Sequence, residues 1–204
     1  PEKIPLSFSQ ERLWFIDLLE GSVQYHLPSI LRLKGKLNVE ALETSIQEII
    51  NRHEILRTVI HNEAGQAFQF IKNKDEWKLT IVEGAEYKDN AESLKKFVLN
   101  LINTPFDLEN DHMLRATLLK INDEEHLLVV TLHHIASDGW STSIIVKELV
   151  ELYGAFEEGR KASLPPLKLQ YADYAMWQRN YLQGEVLEKK LNYWKEKLDG
   201  SEQI

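Results

Sequence analysis

The sequence predicts a mixed α and β fold, in which amphipathic helices and short strands follow one another along the chain. Apolar residues recur at helical spacing in some segments; in others they alternate with polar residues or form short continuous runs. No internal repeat and no low-complexity tract interrupts this order. The 204 residues, of which 43% are hydrophobic, suffice for one sizeable core or two small ones without disulfides.

The first quarter of the chain predicts a helix, a strand and a second helix. Leu13, Ile16 and Leu19 recur at helical spacing, and Gly21 is a typical helix stop. The stretch 28–36 alternates as a strand does. Asn38 is a suitable N-cap for the next helix. The predicted apolar face of that helix comprises Val39, Leu42, Ile46, Ile49, Ile50 and His53.

The middle of the chain predicts five strands and one helix. Residues 55–71 read as two strands joined by a turn at 63–65, and residues 77–83 as a third short strand. An amphipathic helix follows and is ended by Pro105. The stretch 113–134 is the clearest hairpin, because two apolar strands flank the polar turn 122–125. The apolar positions of the helix are Leu94, Phe97, Val98 and Leu101.

The last third predicts three helices. A broad apolar stripe begins after Ser141 and ends near Gly159. The segment 161–170 is proline-bearing and linker-like, and two helices broken near Gly184 follow it. No other boundary indicates a second domain. The stripe comprises Ile144, Ile145, Val146, Leu149, Leu152, Tyr153 and Phe156.

Composition excludes several classes of function. The net charge of −8 and a pI near 5.4 argue against a nucleic-acid or membrane-surface partner, because either favours clustered Lys and Arg. The absence of cysteine excludes disulfides, thiolate zinc sites and a cysteine nucleophile, and it fits the cytoplasm. The N-terminus shows no signal-peptide pattern, and no apolar run is long enough to span a membrane. We therefore expect a soluble cytoplasmic protein.

The most informative stretch is VVTLHHIASDGWS, residues 129–141, at the exit of a strand. Successive side chains on a strand point to opposite faces, so His133 and His134 are poor candidates to chelate one metal ion. We expect one of them to pack and the other to face a cleft. Asp138 is expected to fix the loop by pairing with an arginine, and Gly139 to allow a backbone conformation or close approach that other residues resist.

A bare pair of histidines at a strand end is more often packed or surface-exposed than catalytic, but the longer string is specific. It resembles the His-His-x-x-x-Asp-Gly signature of condensation domains from nonribosomal peptide synthetases, in the chloramphenicol-acetyltransferase-like superfamily. Further stretches resemble motifs of the same family in the same order. They are SFSQERLWF at 7–15, RHEILRT at 52–58, PFDLENDHMLRATLL at 105–119 and YADYAMWQ at 171–178.

The resemblance implies a fold and an extent. The fold is an α/β (α+β) two-layer sandwich, a chloramphenicol-acetyltransferase-like lobe with a mixed sheet covered by helices. Complete condensation domains are much longer than this chain, and the motifs of their second lobe do not occur here. Residues 1–204 are therefore expected to be the N-terminal lobe alone, with the C-terminal lobe absent.

The resemblance also implies roles for single residues. His134 is the catalytic residue, as a general base or as the group that positions the amine. His133 and Asp138 serve as scaffolding, Gly139 lines the tunnel, and Trp140 and Ser141 complete the motif. An acyl-enzyme on Ser137 or Ser141 is disfavoured, because a thioester is already activated. Structural ion pairs are expected for Arg52 and Arg57, and core positions for Leu13, Trp14 and Tyr174.

The implied reaction joins the amine of an acceptor aminoacyl thioester to the carbonyl of a donor acyl or peptidyl thioester, as in antibiotic or siderophore biosynthesis. Both substrates arrive on phosphopantetheine arms, so no cofactor or metal bound by the chain itself is expected. The implied partners are donor and acceptor carrier proteins, the C-terminal lobe and an adjacent adenylation domain. The ending DGWS favours condensation over epimerization, and GSVQYHLPS favours an L-configured donor residue.

Three alternatives remain at the level of sequence. One is a non-catalytic, condensation-like module that recruits a partner, and a second is an inactive fragment. The third is an acyltransferase of the same superfamily that uses a coenzyme A thioester. The QERLW and RHEILRT stretches favour the branch that works on carrier proteins.

Overall fold

Strands and helices alternate along residues 3–200, the part of the chain that this computed structural model describes. The strands are β1 (Ile4–Pro5), β2 (His26–Lys34), β3 (Thr58–Glu63), β4 (Gln66–Ile71), β5 (Thr80–Glu83), β6 (Leu114–Asn122) and β7 (Glu125–His133). The helices are α1 (Phe8–Glu20), α2 (Val39–Arg52), α3 (Ala91–Asn103), α4 (Gly139–Glu157), α5 (Tyr171–Tyr181) and α6 (Gly184–Leu198). The mixed α and β class predicted from the sequence is confirmed.

A mixed sheet of four strands, in the order β2-β7-β6-β5, lies at the centre of the fold. β7 is antiparallel to both β2 and β6, whereas β5 is parallel to β6. The predicted hairpin is β6 and β7, in which Leu118 lies opposite Leu128. Because β7 is apolar on both faces and has a neighbour on each side, both faces need a covering layer.

Helices α2 and α4 cover one face of this sheet. Leu42, Ile46, Ile49 and Ile50 of α2 pack with Leu118 and other residues of the sheet. Of the predicted apolar stripe of α4, Ile145, Leu149, Leu152 and Tyr153 lie against the same cluster, whereas Ile144, Val146 and Phe156 are exposed. Helix α3 covers part of the opposite face. Val98 packs there with residues that alternate with the first set along the strands, namely Leu119, Ile121, Leu127 and Val129.

A second, smaller sheet has the order β1-β4-β3 and is antiparallel throughout. Its β3–β4 hairpin turns where the sequence predicts, with Ala64 and Gly65 both at positive φ. The two-residue strand β1 lies too close to the start of the sequence for a periodic pattern to predict it. Pairing with β4 brings the N-terminal segment beside the core and fixes where α1 begins.

Several element boundaries differ from the sequence prediction. Residues 77–79 lie outside β5, because Trp77 donates its indole N–H to the Leu114 carbonyl and the Leu79 N–H donates to Glu43. Residues Glu54–Arg57 form a 3-10 turn rather than the start of a strand. His53 follows α2 as its C-cap instead of lying on its apolar face.

Of the three residues expected in the core, one is exposed. Leu13 is buried as expected and Trp14 is half-buried, but Tyr174 is 43% exposed on α5. Residues 161–170 contain no helix or strand. Within residues 3–200, no helix is both long and apolar enough to cross a membrane.

Candidate active site

The two histidines lie where β7 leaves the central sheet. His133 is the last residue of β7 and pairs with His26 of β2, and its N–H donates to the Met113 carbonyl at 3.1 Å. His134 is the first residue of the connection to α4, and its N–H donates to the Tyr25 carbonyl at 2.9 Å. Backbone hydrogen bonds on both sides therefore hold the strand exit in place.

His133 is fully buried and hydrogen-bonded at both ring nitrogens. Nδ1 accepts the Ile135 N–H at 3.0 Å, so the proton lies on Nε2, which donates to the Ser22 hydroxyl at 2.8 Å. Burial, with smaller contributions from His26, His134 and Arg115, lowers the pKa of His133 to about 4. His133 is a neutral packing residue.

A buried aromatic cluster surrounds His133. The His26 and His133 rings each meet Phe106 edge to face, with centroids 5.0 and 5.6 Å from the Phe106 ring. The guanidinium of Arg115 lies over Phe106 at 3.8 Å. The sequence motif gives no sign of these neighbours, because His26 lies opposite His133 only through the register of β2 with β7.

His134 has the opposite environment, since its side chain is exposed. Its Nδ1 hydrogen-bonds to the Ser137 carbonyl at 2.7 Å, and because a carbonyl only accepts, Nδ1 carries the proton. Nε2 of the neutral ring is then an acceptor with no hydrogen-bond partner among residues 3–200. The turn that follows β7 thus selects the tautomer and leaves a basic lone pair free.

His134 lines a cleft of about 370 Å³. Its walls come from segments that are far apart in the chain: α1, the residues before β2, the turn after α2, the β7–α4 connection and the start of α5. The lining residues are Ser9, Arg12, Leu13, Tyr25, Ile55, His134, Ile135, Ala136, Ser137, Asp138, Ser141 and Tyr171. Four of the motifs singled out in the sequence therefore meet around one imidazole.

A cleft of similar volume, about 360 Å³, lies elsewhere and includes Trp77, His112 and Arg115. Arg115 donates to the carbonyls of Thr104 and Pro105, so its guanidinium is already engaged by the backbone. Burial lowers the pKa of His112, which favours its neutral form. The His134 cleft differs because four of the motifs singled out in the sequence contribute to its lining.

Asp138 caps α4 instead of pairing with an arginine, which corrects the expectation from sequence. One carboxylate oxygen accepts the Ser141 N–H at 2.9 Å and the Ser141 hydroxyl at 2.7 Å. These hydrogen bonds lower the pKa of Asp138, with the Ser141 side chain contributing most. No ion pair of Asp138 occurs within the described part of the chain.

The remaining residues of the motif occupy the first turn of α4. Gly139 has no neighbour within 4 Å of an added Cβ and no positive φ, so its backbone needs no glycine, contrary to the expectation from sequence. It is also absent from the cleft lining, whereas Ser141 belongs to it. Trp140 is 80% exposed.

The two arginines of the second motif lie outside the cleft lining and form ion pairs. Arg52 Nε lies 3.0 Å from Glu148, a buried residue of α4 that also hydrogen-bonds to His53. Arg57 pairs with Glu54 at 3.3 Å and donates to the Lys72 carbonyl. Arg52 thereby ties the end of α2 to α4, whose first turn borders the cleft.

No group of three or more histidine, aspartate or glutamate side chains in residues 3–200 is arranged to hold a metal ion. The cleft brings the His134 imidazole together with several hydroxyl groups, the guanidinium of Arg12 and the carboxylate of Asp138. Nε2 of His134 can accept a proton or a hydrogen bond. Such a group suits a reaction in which an amine must lose a proton as it attacks.

Comparison with known proteins places this chain in a family. The profile of the condensation domain matches residues 1–204. The chain is 45% identical over 206 residues to a linear gramicidin synthase of Brevibacillus parabrevis, covering all of this chain and 3% of that protein. It is 44% identical over 200 residues to malpibaldin synthetase of Mortierella alpina, and the match covers 97% of this chain and 4% of that protein. The chain thus spans a small part of these relatives.

Solved structures that resemble this chain have the same fold. The X-domain in a complex with OxyB from teicoplanin biosynthesis superposes with a TM-score of 0.88 at 34% identity, over all of this chain and 45% of that one. The starter condensation domain of rhizomide synthetase RzmA has the same fold, with a TM-score of 0.86 at 17% identity over 49% of its chain. The chain spans about half of each of these structures. It belongs to the condensation-domain family.

Proposed function

We propose that this chain provides the His134 side of a site that forms amide bonds in nonribosomal peptide synthesis. The acceptor amine forms a bond to the thioester carbon of the donor while the π pair moves onto the carbonyl oxygen. Collapse restores the carbonyl and breaks the C–S bond. The proton lost by the amine leaves with the thiol, so atoms and charges balance.

The observation that carries the proposal is the free Nε2 of His134 in a cleft built by four motifs. An amine attacks only in its neutral form and loses a proton as the bond forms. The neutral imidazole can take that proton or hold the amine by a hydrogen bond. Because a thioester is already activated, the chemistry needs no nucleophile from the protein. Positioning two substrates then supplies most of the acceleration.

The same proposal names the partners. Donor and acceptor carrier proteins would present both thioesters on phosphopantetheine arms, as the synthetase relatives favour. The C-terminal lobe of the domain would supply the opposite wall of the cleft, since solved members of the family are about twice as long. An adjacent adenylation domain would load the acceptor carrier. No cofactor bound by the chain itself is part of the proposal, and the location is cytoplasmic.

The test is His134→Ala in the complete condensation domain, with both carrier proteins loaded. We expect the rate of amide formation to fall about 10²–10⁴-fold, as is usual for loss of a positioned acid–base group, while thermal stability stays close to wild type. The product is measured by mass spectrometry of the loaded arms. His61→Ala, on the smaller sheet outside the cleft lining, is the matched control. A wild-type rate for His134→Ala refutes the proposal.

A second candidate is a recruitment module without catalysis. It is favoured by the similarity to the X-domain that was solved in a complex with OxyB. Under this alternative the complete domain binds a partner protein but forms no amide from loaded carriers. A coenzyme A-dependent acyltransferase is the third candidate. Replacing the donor carrier by an acyl coenzyme A distinguishes it, because only that enzyme class accepts the free thioester efficiently.

A further inference from the structure

The hydroxyl of Ser22 links the end of α1 to the buried ring of His133. Ser22 is 3% exposed, and its hydroxyl donates to a carboxylate oxygen of Asp17, a half-buried residue in the last turn of α1. The same hydroxyl oxygen accepts the Nε2–H of His133 at 2.8 Å. Asp17, Ser22 and His133 therefore form one chain of hydrogen bonds, of which the His-His-x-x-x-Asp-Gly motif contains only the last member.

The direction of each hydrogen bond in this chain follows from the protons available. A serine hydroxyl has one proton, and a carboxylate can only accept. Because Ser22 gives its proton to Asp17, it can only accept from His133, so the proton of that ring lies on Nε2. Nδ1 is then free to accept the Ile135 N–H at 3.0 Å. Asp17 thus selects the tautomer of His133 from two hydrogen bonds away.

The tautomer of His133 matters for His134, because it decides one of the backbone hydrogen bonds beside that residue. The N–H of Ile135, one residue after His134, is held by the His133 ring. On the other side, the His134 N–H donates to the carbonyl of Tyr25, three residues after Ser22. A His133 ring with its proton on Nδ1 would turn one donor towards another at Ile135, and that hydrogen bond would be lost. The backbone that carries His134 would then be less firmly held.

We propose that Asp17 is a positioning residue for His134, which acts through the hydroxyl of Ser22 and the ring of His133. This inference rests on the proposed function. Asp17 and Ser22 lie outside the cleft lining, so their effect on a reaction at His134 is indirect. No proton moves along the chain, because its hydrogen bonds only hold the ring in one tautomer. A misplacement of about 1 Å in a site can lower a rate about 10²-fold, so a firmly held His134 favours catalysis.

The test measures the tautomer of His133 and the reaction rate in the complete condensation domain. Asp17→Ala removes the acceptor, so the Ser22 hydroxyl can turn its proton towards the ring. Nitrogen-detected NMR should then show a mixture of the Nε2–H and Nδ1–H forms of His133, where wild type shows only Nε2–H. With both carriers loaded, we expect the single-turnover rate to fall about 10–10²-fold, while the substrate concentration for half-maximal rate stays unchanged.

Three further variants separate positioning from a general effect on α1. Asp17→Asn should keep the tautomer and most of the rate, because its amide oxygen still accepts the Ser22 hydroxyl. Glu20→Ala removes an exposed carboxylate from the same helix, outside the cleft lining, and is the matched control. Ser22→Ala breaks the chain at its middle. Because Asp17 acts only through Ser22, adding Asp17→Ala to Ser22→Ala should change neither the tautomer nor the rate.

Thermal denaturation checks that each variant is folded at the assay temperature. If Asp17→Ala is not, Asp17→Leu fills the same space without an acceptor and should show the same two effects. A wild-type rate without the acceptor, a lower rate with His133 still wholly in the Nε2–H form, or a further loss of rate in the double variant would each overturn the inference. If His134→Ala keeps the wild-type rate, the proposed function itself fails, whereas the NMR result still shows whether Asp17 sets the His133 tautomer.

Discussion

Two adjacent histidines of the same chemistry acquire different roles because their surroundings differ. His133 is enclosed and bonded at both nitrogens, so its ring is held in one tautomer and cannot reach a substrate. His134 lies one residue later, beyond the end of β7, and keeps one nitrogen free in the cleft. Burial, rather than residue type, separates the packing residue His133 from the candidate catalytic residue His134.

We predict that His133 stays neutral well below the pH at which an ordinary histidine is protonated. Its folded pKa of about 4 lies below the usual 6.5, so the unfolded chain binds a proton more readily. The stabilisation is therefore complete above about pH 6.5 and is lost as the pH falls towards 4. The complete contribution of His133 to the free energy of unfolding is about 3 kcal/mol. The lowered pKa of His26 acts in the same direction.

Nitrogen-detected NMR of the histidine rings measures this directly. The His133 resonances should show an Nε2–H tautomer and no titration between pH 7 and pH 5. Urea denaturation over the same range should show a free energy of unfolding that decreases with acid. A His133 midpoint near 6.5 would contradict the burial and the two hydrogen bonds assigned to its ring.

At the scale of elements, the beginning of α4 determines how the His134 turn is held. Asp138 accepts two hydrogen bonds from Ser141 and so starts the helix immediately after the turn that holds His134. A good N-cap is worth about 0.5–2 kcal/mol. The scaffolding role implied for Asp138 thus has a local physical basis within this chain.

We predict that Asp138→Ala lowers the free energy of unfolding by about 1 kcal/mol, because the first turn of α4 loses its cap. Asp138→Asn is the matched variant, since the amide oxygen can still accept the Ser141 N–H and most of the stability should be retained. Thermal and chemical denaturation of the three proteins measure the difference. Equal stability of Asp138→Ala and wild type would show that the cap does not hold the turn.

The helices and hairpins could be predicted from sequence because each has a local cause. Residues close together in the sequence determine the periodic apolar face of α2, its Asn38 cap and the turn between β6 and β7. The shorter length of β5 was not predictable from sequence. Trp77 donates its indole N–H to the Leu114 carbonyl and the Leu79 N–H donates to the Glu43 carboxylate, so residues 77–79 do not pair as a strand. Contacts between residues far apart in sequence override local β propensity there.

The candidate site likewise has features that the sequence predicts and features that appear only in the folded structure. The motif identifies His134 through its specificity, but the cleft depends on how α1 and α5 pack beside the β7–α4 connection. The capping role of Asp138 had a local signal, a serine three residues later, which the expectation of an arginine partner overlooked. The unpaired hydroxyl of Ser137 had none, because pairing is a property of the folded surroundings.

At the scale of the whole molecule, a large apolar surface remains uncovered by the described part of the chain. Helix α6 has no buried residue, and exposed aromatic and aliphatic side chains continue from α5 along it. Exposed apolar side chains grouped on neighbouring helices are typical of an interface. Its members include Tyr174, Met176, Trp177, Tyr181, Val186, Leu191, Tyr193 and Trp194.

We predict that residues 1–204 expressed alone fold but form no amide bonds. The chain spans 45–49% of the two solved structures described above, and His134 is exposed to solvent. Holding two thioesters together and excluding water both need a second wall. Without that wall, the two substrates are not held beside His134 in a position to react. Light scattering should show self-association through the apolar surface of α5 and α6.

The measurement is a carrier-protein condensation assay of this chain, its His134→Ala variant and the complete domain, with mass spectrometry of the loaded arms. Product should appear only with the complete domain, while circular dichroism shows cooperative unfolding of the chain alone. If the chain alone forms product and His134→Ala abolishes it, one lobe holds a complete site. The second wall would then be dispensable for positioning, and catalysis would have to arise from the His134 cleft by itself.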